Sequence, residues 1–245
     1  MRRSWCGGRP RATVPWCRAP ASGWIEGPCA GLRLRRHDLF PTHRPAQPGG
    51  DVAGAARALR PHHRQSDPPH GGPQRANIHS PELAEAWWRL GDMLRSRTVL
   101  PKRLLELAII LAGRRWNSPV EFHIHGAAAI EAGLDPALVE AIRLGAPLLL
   151  PPGEEREIYD FTRQVQMRGD ADDATYHAVL ARWGERGVVE LAAVIGFYTM
   201  VCMALNLHRI PLPDGAAAPI APAGEVGALA VLPPALPEPG EGGTG

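Results

Sequence analysis

From residue 78 to about residue 210, apolar residues recur at helical spacing between clear helix starts and stops. Ser80-Pro81 offers an N-cap and a proline at the first helical position, which predicts a helix to about Arg97. Pro101 opens a second helix, to about Arg115. Ser118-Pro119 opens a third that Gly133 ends, and Asp135-Pro136 a short fourth that Gly145 ends. A fifth runs from Glu154 to Arg168 and stops at Gly169. Asp172 or Asp173 caps a sixth, to about Trp183. The last, Val188 to about Leu207, is apolar nearly all round, as a central or interface helix is. No strand pattern competes. The expectation is an all-α domain of about six to seven helices over residues 76–212.

The flanks lack this periodicity. Residues 1–75 hold 11 Pro, 10 Gly and 13 Arg but no Lys, with 4 acidic residues and a net charge of +9. Such a stretch buries too little apolar surface to offset its ordering entropy, so it is expected to be disordered. One reading is a basic arm that contacts an anionic partner. The other follows from codon usage. The chain has a single Lys, Lys102, against 26 Arg, which points to GC-rich coding. GC-rich DNA read out of frame yields Arg, Pro, Gly, Ala and His, so the segment is expected to be a mistranslated or wrongly assigned start. Residues 213–245 are rich in Pro and Gly and are expected to form a flexible tail.

Charge and cysteine content narrow the classes. The chain totals +2, so beyond residue 75 it carries −7, which argues against nucleic acid as a partner of the helical part. The start is basic but has no apolar signal region. Val188–Leu207 is interrupted by Glu190 and Asn206, so a buried helix is favoured over a membrane span. A cytoplasmic protein is the default expectation. The 4 Cys residues form no CxxC, which excludes a local dithiol centre or four-thiolate zinc site.

The candidate chemistry lies in the second and third helices. Glu106 is the one charge in the ten residues Leu104–Gly113. A carboxylate inside an apolar helix is costly unless paired, and desolvation raises its proton affinity. Glu121 and His125 are four apart and share a helical face, where a carboxylate can orient an imidazole. Ser118 and Glu121 also fit a capping box, which needs no catalysis. The two helices should form an antiparallel hairpin, which brings Glu106, Glu121 and His125 to similar depth. A metal set of Glu121, His123 and His125 converges only on a strand, so no metal and no cofactor is expected. Arg103, Arg114 and Arg115 flank the hairpin and are candidate holders of a carboxylate substrate.

The run Leu100-Pro101-Lys102-Arg103-Leu104-Leu105-Glu106-Leu107, then Arg114-Arg115-Trp116, Glu121-Phe122-His123-Ile124-His125 and Glu131-Ala132-Gly133-Leu134, resembles the carboxymuconolactone decarboxylase family. That family belongs with the alkylhydroperoxidase D-like proteins. The resemblance runs from about His79 to Gly215 and implies an alkylhydroperoxidase D-like helical fold in a homo-oligomer, trimer or hexamer, with pockets near subunit interfaces. The peroxidase branch uses a Cys-x-x-Cys, a following His and an upstream Glu. Those positions fall on Ser118, Glu121, His125 and Glu106, so both thiols are missing and peroxiredoxin activity is not expected. The decarboxylase branch, which serves aromatic compound catabolism, needs no thiol. The resemblance thus implies a lyase acting on a small carboxylated lactone or related acid. Glu106, Glu121 and His125 would be catalytic, and Arg103, Arg115 and Trp116 would bind substrate. The alternatives are a thiol-type antioxidant protein and a non-catalytic homo-oligomeric small-molecule-binding scaffold.

Overall fold

The computed structural model describes residues 72–213 and 215–236. The basic segment before residue 72 and the last nine residues lie outside them. The elements are α1 (Gln74–Asn77), α2 (Pro81–Ser96), α3 (Lys102–Arg115), α4 (Pro119–Glu131), α5 (Pro136–Leu144), β1 (Leu148–Leu149), α6 (Glu154–Arg168), α7 (Asp173–Leu207), α8 (Ala223–Val226) and β2 (Ala235–Leu236). The protein is all-α apart from the two-residue strands, which pair in parallel as Leu148 with Ala235 and Leu149 with Leu236.

Helix ends follow the local chemistry. The Asp135 and Asp172 side chains accept the backbone N–H groups of Ala137 and Thr175, each satisfying an otherwise orphaned donor. α7 contains the break expected between two helices. Gly184 sits at φ +68° and ψ −178°, outside helical geometry, so the stretch before it and the stretch after it meet at a kink.

α3 is the centre. Leu104 to Gly113 is buried without interruption, and α3 packs on α4, α6 and α7. This explains why it is apolar all round rather than amphipathic. α2 lies against α7, where Trp87 and Phe197 meet with ring centroids 5.5 Å apart. Glu190, buried on α7, ties the α2–α3 loop down by accepting Val99 N–H at 2.7 Å and pairing with Arg186 at 2.7 Å. α7 is long and apolar enough to cross a bilayer by length and composition, and half of its most apolar window is buried inside the domain.

The Pro-rich segment expected to be a free tail is instead, over residues 215–236, a strap across the helices. Ile220, Leu232 and Ala235 are buried. Prolines lack N–H groups, so such a chain has more carbonyls than donors. Side chains of the helical body supply the donors. Arg115 reaches Ala230 O at 2.6 Å, Asn117 Ala228 O at 2.9 Å, Arg143 Pro219 O at 2.9 Å, Tyr159 Pro233 O at 2.7 Å and Arg163 Leu232 O at 2.8 Å. Composition alone could not reveal those partners, which lie 69 to 115 residues away in sequence.

Candidate active site

The hairpin of α3 and α4 brings Glu106, Glu121 and His125 together. His125 Nδ1 lies 2.7 Å from Glu106 Oε2, a charge-assisted hydrogen bond between the helices. Its Nε2 lies 3.3 Å from Glu121 Oε1, one turn earlier on α4. This second contact is an ion pair without good hydrogen-bond alignment, and Glu121 Oε1 has no other partner. The side chains of His125, Glu106 and Glu121 are 15%, 10% and 4% exposed, so the centre is largely withdrawn from solvent and Glu121 most of all.

Burial and charge set the protonation pattern. Desolvation by burial, reinforced by the nearby Glu106 carboxylate, raises the Glu121 carboxyl above its usual range. Burial alone would depress the His125 imidazolium. The Glu121 charge and the Glu106 hydrogen bond outweigh that, and His125 titrates above its usual value. The centre is therefore an imidazolium held between two carboxyl groups in contrasting environments, which can store, donate and recover a proton.

The capping box does not form. Ser118 occupies the N-cap position of α4 but makes no cap bond, and its buried hydroxyl has no well-aligned partner. Glu121 turns to His125 instead, since a buried carboxylate gains more from an imidazolium than from a backbone N–H. The Ser118 hydroxyl faces the Cys202 thiol, which is fully buried on α7. Burial, with the Glu121 charge nearby, pushes that thiol well above its ordinary range, so it stays protonated. His123 is half-buried on another face of α4, and no cluster of three metal-ligating side chains occurs among the described residues.

The three residues expected to bind substrate are used elsewhere. Arg103 pairs with Glu154 and Glu155 at the start of α6. Arg115 bonds the strap at Ala230 O and α6 at Gln166 O, and Trp116 Nε1 donates to Gln166 Oε1 at 3.2 Å. Arg114 donates to Asn117 Oδ1 at 2.6 Å. Each was a plausible anchor by its position at the hairpin, but Arg103, Arg115 and Trp116 are satisfied by distant segments and Arg114 by Asn117, three residues on.

Two neighbours of His125 carry no signal in the sequence. Tyr198 on α7 meets the His125 ring edge-on, with centroids 5.2 Å apart. Arg95, in the last turn of α2, acts electrostatically on Glu121, His125 and Tyr198. Tyr198 lies inside an apolar run and Arg95 on an amphipathic helix, and only the packing of α2 on α7 joins them to the site.

The fold is all-α. No family model matches the chain, and no curated protein matches it significantly. Among solved structures, it is similar to an uncharacterized peroxidase-related protein from Silicibacter sp. TM1040. The TM-score is 0.50 at 19% identity, over 57% of this chain and 75% of that one. At this identity the likeness is one of fold.

Proposed function

We propose that the protein is an acid–base enzyme of the carboxymuconolactone decarboxylase type, acting on a small carboxylated lactone or related acid. The observation that carries this reading is His125 held between two buried carboxyl groups, 2.7 Å from Glu106 and 3.3 Å from Glu121. In such a reaction the bond from ring carbon to carboxylate carbon breaks and CO2 leaves. The bonding electron pair passes through the ring double bond to the lactone carbonyl oxygen. A proton then adds at carbon, one for each CO2 lost. His125 is the proton donor. Glu106 holds Nδ1 and tunes the ring, while Glu121 orients it. The Nε2 contact with Glu121 is long and poorly aligned, so that N–H is available to a substrate atom placed in its direction.

A homo-oligomer is part of the proposal. It is supported by an uncovered apolar stripe on α7, formed by Val189, Met200, Met203 and Leu207. The Silicibacter protein is named as peroxidase-related, and one form of peroxidase chemistry uses a thiol. The one described thiol, Cys202, is buried and protonated, whereas such chemistry needs a reachable thiolate.

The test follows the ultraviolet absorbance of 4-carboxymuconolactone with wild type and His125→Ala side by side. Turnover by wild type and its loss in the variant is the expected result. A folded wild type that leaves the lactone untouched would reject the decarboxylase and favour a binding scaffold.

A further inference from the structure

With Arg103, Arg114 and Arg115 already engaged, the arginine whose charge acts on the acid–base centre is Arg95. Gly91, one turn earlier on α2, opens its path. A side chain at 91 would press on Phe197 Cζ at 2.9 Å and on Arg95 Nη1 at 3.2 Å. Its absence lets α7 come close and lets the guanidinium fold back along α2. The guanidinium carbon lies 5.6 Å from the centroid of the Trp88 ring, a cation–π contact that fixes its height. Arg95 forms no ion pair with any carboxylate of the described residues, although its charge reaches Glu121, His125 and Tyr198.

The second group is the Tyr198 hydroxyl. It is buried, its proton has no acceptor of good geometry, its oxygen is in loose hydrogen-bond reach of the Arg95 guanidinium, and its ring meets the His125 ring edge-on. A buried hydroxyl without an acceptor is costly, so its proton is available to a bound group. Burial keeps the phenol protonated. A guanidinium with no carboxylate among the described residues thus neighbours a phenol whose proton has no acceptor, and that phenol's ring meets the imidazole edge-on. Together they present donors of the kind that a planar anion takes from two directions.

We propose that Arg95 and Tyr198 form the anion seat of this site and hold a carboxylate of the substrate beside His125. The inference rests on the acid–base reading above and adds a binding role to it. The carboxylate so held is one the reaction keeps. Pairing the departing group with a guanidinium would stabilise the ground state and slow its loss. The substrate class is therefore a small acid with a retained carboxylate near the reacting carbon.

The experiment uses the full-length protein and two probes, a saturated γ-lactone carboxylate and its methyl ester, followed by titration calorimetry. Wild type should bind the acid at least tenfold more tightly than the ester. Losing one charged hydrogen-bond partner costs about a 10- to 100-fold rise in Kd. Arg95→Gln should weaken acid binding by that factor and leave ester binding unchanged. Arg95→Lys should fall between, and Tyr198→Phe should show a smaller loss confined to the acid. Thermal melts establish that each variant is folded. With 4-carboxymuconolactone, Arg95→Gln should raise KM more than it lowers kcat. Acid binding that ignores Arg95→Gln, or a wild type with no preference for acid over ester, overturns the seat. Arg95-dependent binding without turnover leaves the seat standing and removes the decarboxylase. Turnover that depends on His125 with KM unchanged in Arg95→Gln does the reverse.

Discussion

His125 Nδ1 and Glu106 Oε2 meet at 2.7 Å across the α3–α4 hairpin, so the strongest polar contact of the site also joins its two helices. Glu106→Gln keeps the shape and removes the charge that helps hold His125 protonated. The imidazolium should then lose its proton at lower pH. The descending limb of kcat/KM against pH should move to lower pH with 4-carboxymuconolactone as substrate. His125→Ala should cost about 10²- to 10⁴-fold in rate, the usual worth of one proton-transfer group. A Glu106→Gln profile that overlays wild type would remove Glu106 from the proton path.

The raised proton affinities of Glu121 and His125 predict the sign of the pH slope in stability. The folded Glu121 carboxyl keeps its proton above the ordinary value of 4.5, at pH values where the unfolded chain has released it. Stability therefore falls as pH rises from 4.5 to the folded value. The raised His125 value has the same sense. Its contribution is complete below 6.5 and is lost as pH climbs through the folded value. Urea denaturation across this range should show stability declining with pH. Glu121→Gln should flatten the lower part of the decline and His125→Ala the upper part. Curves parallel to wild type in both variants would mean that the groups titrate as they do in the unfolded chain.

The helical core was legible because its signals are local. Ser80-Pro81, Ser118-Pro119 and Asp135-Pro136 each mark a start, and α2 to α6 begin and end within a residue or two of the expected positions. Glu106, Glu121 and His125 were legible because one short hairpin fixes their relative depth. Arg95 and Tyr198 were not, because their place depends on how α2 packs against α7, and no spacing rule encodes that. The strap was misread for a related reason. Its stabilising donors, among them Arg115 and Arg163, belong to the helices and not to the Pro-rich segment.

Cys202 lies beside Ser118 at the back of the site, fully buried, with its thiol held protonated. In a chain with Cys6, Cys17 and Cys29 changed to Ser, it should resist a thiol-specific chromogenic reagent until denaturant is added. Cys202→Ser should keep lactone turnover within a fewfold of wild type. Rapid native labelling together with loss of turnover in Cys202→Ser would make the thiol a working part of the site.

Val189, Met200, Met203 and Leu207 recur on one exposed face of α7 with Ala192 and Gly196 between them. About Gly196 this face is nearly palindromic, with Val189 and Met203 seven residues to either side and Ala192 and Met200 four. A two-fold contact requires this kind of self-complementarity. A charge on this face would have to be desolvated on association. Met203→Glu should therefore lower the mass of the assembly in light scattering while leaving helicity unchanged. A wild type that is monomeric at micromolar concentration would reject the contact, and binding to lipid vesicles instead would assign the face to a membrane.

The strap provides the last prediction. Leu232 is 1% exposed, and Arg163 Nε donates to its carbonyl at 2.8 Å. Leu232→Ala removes a buried side chain and leaves a cavity, which costs about 2–5 kcal/mol in a well-packed core. Tyr159→Phe removes the hydrogen bond to Pro233 O, worth about 1 kcal/mol, while keeping the ring in place. Deleting residues 215–245 should cost more than either, since it strands the donors of Arg115, Arg143 and Arg163 together. Urea midpoints should rank wild type, Tyr159→Phe, Leu232→Ala and the deletion in falling order. A deletion that melts with wild type would show that the strap follows the fold without supporting it.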